Sequence, residues 1–130
     1  MTPTELTAQL DGTDCDSAGV YGLTLAVPDA VDAVQRRWLE TNDHPLPDAY
    51  AEQLAAASEV VYVGATGRSI RARCAEHVRG EVRKASAVRA FAVVDVAGVW
   101  PGAHTGVAER DRARTLAGDG VVCWCDGELF

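Results

Sequence analysis

The run Val60-Val61-Tyr62-Val63 is apolar and rich in β-branched residues. It leads through Gly64 and a Thr66-Gly67 turn to Ser69, a residue suited to cap a helix. A chain with this phrase is committed to a strand that turns sharply into a helix. The helix is expected over residues 69–82, because Ile70, Cys74 and Val78 share one face at i, i+4 and i+8. On the same spacing Arg73 and His77 lie one turn apart on its flank. A matching strand is expected over 19–27, where Gly19-Val20-Tyr21 opens an apolar run that ends at Pro28. Each strand carries a tyrosine, Tyr21 or Tyr62. Two phenols, a set of guanidiniums and an imidazole are groups that can hold and cut a phosphodiester.

The remaining segments follow the same rules. Residues 29–57 hold two expected helices, the first with Val31, Val34, Trp38 and Leu39, the second with Tyr50 and Leu54, separated by Pro45 and Pro47. A strand is expected over 88–96, a Gly/Pro-rich loop over 97–102, a helix over 104–116 and a last strand over 121–124. Residues 1–18, polar and turn-rich, are expected to be loosely ordered. No repeat or linker divides the chain. Its 130 residues suit one domain of α/β (α+β) class, a small mixed central sheet flanked by helices.

Charge is unevenly spread. Acids outnumber bases nineteen to twelve, and Lys84 is the only lysine among those bases. Such arginine bias with an acidic excess is expected of a GC-rich, salt-adapted (halophilic) source. Yet residues 68–89 carry seven bases against two acids, a net of +5 that leaves −12 on the remainder. A basic stripe on an acidic body is the footprint of a nucleic-acid binder, and equally of a helix with a solvated cationic face. The nucleic-acid contacts expected from it are Arg68, Arg71, Arg79, Arg83 and Lys84, with Gly64 and Thr66 at the turn. Cys15, Cys74, Cys123 and Cys125 fit no disulfide or zinc spacing. No apolar run is long enough to span a membrane, and the N-terminus lacks a signal-like core, so a cytoplasmic protein with no membrane partner is expected.

Gly19-Val20-Tyr21, Tyr62-Val63-Gly64, the Thr66-Gly67-Arg68-Ser69-Ile70 turn, Arg73 and His77 together resemble the GIY-YIG nuclease superfamily. The likeness covers residues 19–27 and 59–125. It implies a metal-dependent endonuclease that hydrolyses DNA phosphodiester bonds, in which Tyr21 acts as general base or passes the proton on. Arg73 would lower the Tyr21 pKa and grip the phosphate, Tyr62 would position the water or Tyr21, and His77 would assist proton transfer or bind phosphate. Glu109, with Asp111 as the other candidate, would hold one Mg2+ or Mn2+ ion. Two departures stand out. The signature strands of the family are joined by a short hairpin, whereas here the 29–57 insertion intervenes; loop closure tolerates this, and the strands are still expected to pair. The family also carries a late asparagine, where this chain has Cys123-Trp124-Cys125-Asp126. The alternative is therefore a catalytically weak module of the same fold that binds nucleic acid or a protein partner. Trp38 and Leu39 of the insertion are candidates for docking such a partner, and an exposed Trp100 would suit base stacking.

Overall fold

The computed structural model describes residues 1–130. In chain order the elements are α1 (Pro3–Leu10), β1 (Gly19–Leu25), α2 (Val31–Leu39), α3 (Asp48–Ala56), β2 (Glu59–Thr66) and α4 (Ile70–Val78). They continue with α5 (Ser86–Ala90), β3 (Val93–Pro101), α6 (Gly106–Leu116), β4 (Val121–Cys125) and β5 (Glu128–Leu129). The strands form one mixed sheet of order β3-β1-β2-β4-β5. The fold is thus α+β, a five-stranded sheet flanked by six helices.

The two tyrosine-bearing strands pair across the insertion. β1 runs antiparallel to β2 with Tyr21 opposite Gly64 and Leu23 opposite Tyr62. Alternation along each strand then divides the residues between two faces. Tyr21, Leu23, Leu25 and Val60 join the larger core, under α1 to α5. Val20, Val61 and Val63 point the other way, into a smaller core closed by Ala113 of α6 and by Cys123 and Cys125 of β4. β4 lies parallel to β2, and β3 lies antiparallel to β1 with two register irregularities. No helix is long and apolar enough to cross a membrane.

Several expectations are corrected. Residues 1–18 are not loose: Thr2 and Glu5 form a capping box around Pro3, and Leu6, Leu10 and Cys15 are buried. The carbonyls of Cys15 and Ser17 then accept from Arg71 N (2.7 Å) and Ile70 N (3.0 Å), satisfying amides at the start of α4. α4 ends at Val78, short of residue 82, and the chain turns at Gly80 with φ +71°. α5 occupies the start of the strand expected over 88–96. β3 instead extends through the expected loop to Pro101, which the edge position allows.

The insertion is integral to the core. Trp38 is buried, its Nε1 donates to His44 O (2.9 Å), and its ring lies 5.5 Å from that of Trp124. Trp38 is therefore not available to dock a partner, although Leu39 is exposed. Trp100 is half-buried, with the Arg112 guanidinium 4.4 Å from its ring centroid, so a cation already covers part of the ring.

Candidate active site

Tyr21 is fully buried, and its phenol reaches across β2 over the position of Gly64. A Cβ at Gly64 would overlap the phenol oxygen and its ring carbon, so glycine is required there for space and not for a turn. The turn belongs to Gly67 instead, where Thr66 Oγ1 accepts from Arg68 N at 3.1 Å. Passing over Gly64 brings Tyr21 Oη to 2.7 Å from His77 Nε2. The Tyr62 ring stands 5.1 Å from the His77 ring and 6.5 Å from that of Tyr21. Ser69 caps α4 by accepting from Ala72 N (3.1 Å), and the helical repeat then places Arg73 and His77 on the flank facing the tyrosines.

Tyr21, Tyr62, Gly64, Arg73, Lys84 and Glu109 line one cleft of about 210 Å³. Glu109 comes from the first turn of α6, which Thr105 caps. Its Oε1 accepts from the Cys125 thiol at 3.2 Å. Asp111 is exposed, paired with Arg114 (3.1 Å), and is not part of the cleft lining. Of the two acids proposed as metal ligands, Glu109 is thus the one placed to face a substrate. Arg73 is held from behind by Glu76 (3.0 Å), which also takes Arg68 (2.7 Å).

Burial dominates the electrostatics. It raises the Tyr21 phenol well above its ordinary value, with Tyr62 and Cys74 adding and Arg73 opposing. The expectation that Arg73 lowers this pKa overall is corrected, because desolvation of the phenolate outweighs the guanidinium. Tyr62 is pushed up to about 12 by burial, with Glu109 adding. His77 is lowered to about 4, first by burial and then by Arg73. At neutral pH the ring is uncharged, and its Nδ1 is buried without a partner in the chain. Since 4 lies below the unfolded value of about 6.5, the neutral ring's contribution is complete above pH 6.5 and is lost as pH falls toward 4. The loss amounts to roughly 3 kcal/mol at most. Urea denaturation at pH 7, 5.5 and 4.5 is expected to show a steeper loss of stability for the wild type than for His77→Gln. Parallel slopes would contradict the assignment.

Glu109 and Asp126 form the acidic end of the cleft, with Asp126 paired to Arg110 at 3.0 Å. Burial raises the Glu109 carboxyl, and Asp126, which also lines the cleft, raises it further, while the Cys125 hydrogen bond opposes. A cation would relieve this unfavourable charge. No three His, Cys, Asp or Glu side chains converge to hold a metal ion. An ion at Glu109 would therefore fill its sphere with water and substrate oxygens, as hard cations with few protein ligands do.

The expected basic surface disperses in the fold. Arg71 pairs with Asp16 (3.1 Å) and Arg79 with Glu81, and both border a groove between α1 and α4, away from the cleft. Arg68 is tied to Glu76, Arg83 is exposed, and Thr66 is buried at the end of its strand. Of the nucleic-acid contacts expected from sequence, only Gly64 and Lys84 line the cleft. Sequence reasoning missed Cys125 and Asp126. Asp126-Gly127 is the two-residue turn from β4 to β5, with φ of +51° and +78°, and Asp-Gly is a strong hairpin signal. Comparison with protein-family models, curated proteins and solved structures finds no match to this chain.

Proposed function

We propose that this chain is a GIY-YIG-type, metal-dependent endonuclease that hydrolyses DNA phosphodiester bonds. The observation that carries the reading is the convergence of Tyr21, Tyr62, Arg73 and Glu109, from four different elements, on one cleft with Tyr21 hydrogen-bonded to His77. In the tautomer with the proton on Nδ1, neutral His77 accepts the Tyr21 hydroxyl proton at Nε2 while Tyr21 Oη takes one from water. The relay passes through no free phenolate; the imidazolium it forms, which burial and Arg73 disfavour, is transient and returns its proton as the leaving oxygen departs. The hydroxide so formed attacks phosphorus and the P–O bond to the leaving oxygen breaks. Arg73 supplies a planar cation for the phosphoryl oxygens, and Tyr62 borders the position of the attacking water. A divalent ion, held by Glu109, would neutralise charge on the phosphate and the departing oxygen.

The test is nicking of supercoiled plasmid and branched DNA with Mg2+ or Mn2+, in low and in molar KCl. EDTA is expected to abolish nicking, and Glu109→Gln to slow it at least about tenfold, a modest figure for loss of a metal carboxylate. Nicking that persists in EDTA would remove the metal from the proposal. Folded protein that cuts nothing in either metal or salt would leave the binding-module reading in its place.

A further inference from the structure

A second cavity, of about 460 Å³, adjoins the cleft and has no part in the cleavage chemistry. One wall is aromatic: Trp38 and Tyr50 from the insertion and Trp124 from β4. The Tyr50 ring stands edge-on to Trp124 at 6.0 Å, and His44 stands edge-on to Trp38 at 6.2 Å. Lys84 and Ser86 border the cavity from the segment after α4. Its size falls within the roughly 300–1,000 Å³ of small-molecule sites. Lys84, Trp124 and Gly127 line both the cavity and the cleft, so the two are contiguous.

The geometry points to a nucleobase subsite, in which an unpaired base of the substrate strand lies against the half-buried Tyr50, in the cavity that Trp38 and Trp124 back, while its neighbouring phosphate occupies the cleft. This inference rests on the nuclease reading of the cleft and deepens it. The substrate class it names is nucleic acid with a single-stranded or extruded nucleotide beside the cut. The chemistry of the cavity matches such a group: the half-buried Tyr50 ring, backed by the buried Trp38 and Trp124, offers aromatic surface, with the Ser86 hydroxyl and the Lys84 ammonium at the border. The charge of the chain argues the same way. With a net charge of −7, the long-range attraction of the chain to phosphates adds little. Stacking, at about 1–3 kcal/mol per base, is not screened. The insertion then acquires a purpose, since without residues 38 and 50 the cavity has no aromatic wall on that side.

The test uses the full chain in EDTA, with a short thymidine oligonucleotide and an abasic strand of equal length as probes. Anisotropy is expected to give at least about tenfold tighter binding of the base-bearing strand, with quenching of tryptophan fluorescence. Tyr50→Ala removes part of the wall. Ser86→Phe fills the cavity and deletes no core side chain. Both are expected to abolish the preference and leave abasic binding unchanged. Equal binding of the two strands, or binding of neither, by folded protein overturns the subsite. A preference that survives both substitutions overturns it as well. Plasmid nicking with equal strand binding would leave the nuclease reading standing alone. A base preference lost in both variants, from protein that nicks nothing, would keep the subsite and sink the nuclease.

Discussion

Tyr21→Phe is expected to reduce single-turnover nicking by at least about 100-fold, because general acid–base groups contribute roughly 10²–10⁴. The substitution keeps the ring that packs over Gly64 and deletes only the hydroxyl that meets His77 Nε2 at 2.7 Å. It also leaves a buried imidazole with neither nitrogen paired, so a stability loss of about 1–3 kcal/mol accompanies it. His77→Gln tests whether the two act as one device. If they form a relay, the double variant is no slower than Tyr21→Phe alone, as for other residues that work as a unit. Additive losses would separate their roles, and a Tyr21→Phe rate within threefold of wild type would remove Tyr21 from the chemistry. Arg73→Ala is expected to match Tyr21→Phe in severity through a different cause, the loss of the cation facing the phosphoryl oxygens.

Gly64→Ala is expected to lower the melting temperature by about 10 °C and to abolish nicking. One methyl group here has no room: it would overlap a phenol that is itself fully buried. Relief requires moving Tyr21 or parting β1 from β2, and overpacking of this severity costs about 3 kcal/mol. Activity falls with it, since displacing Tyr21 breaks its contact with His77. Gly106→Ala is the control. That position opens α6 with nothing near an added Cβ, so it is expected to be neutral or slightly stabilising. The cycle with Tyr21→Ala decides the cause. Gly64→Ala should cost far less in the Tyr21→Ala background, a coupling reserved for residues in contact. Equal costs in the two backgrounds would trace the effect to strand conformation and not to space.

Much of the fold was legible because it follows from local chemistry. The apolar runs expected over 19–27 and 60–63, the Ser69 cap and the i, i+4 spacing of Arg73 and His77 each place an element without reference to the rest. Two local signals were present and overlooked: the Thr2/Glu5 capping box that makes α1, and the Asp126-Gly127 turn that makes β5. The strand expected over 88–96 failed for another reason. Short Ala/Val-rich segments suit helix and strand alike, and pairing with β1 decided that Val93–Pro101 would be the strand. Charge misled most, because sequence counts arginines while the fold chooses their partners: Asp16 and Glu81 draw Arg71 and Arg79 away from the cleft.

The sequence by itself determined which groups the protein could bring to chemistry: Tyr21, Tyr62, Arg73 and His77 stand out by type and spacing, and Glu109, with Asp111 beside it, enters through the family resemblance. Only the tertiary structure decided what state those groups are in. Burial raises Tyr21 and lowers His77, and the depth of burial depends on elements far apart in the chain. The choice of Glu109 over Asp111 was likewise tertiary, because two residues along a helix turn a side chain from the cleft to solvent. So was the aromatic cavity, whose walls come from residues 38, 50 and 124 and meet only when the insertion folds back onto β4.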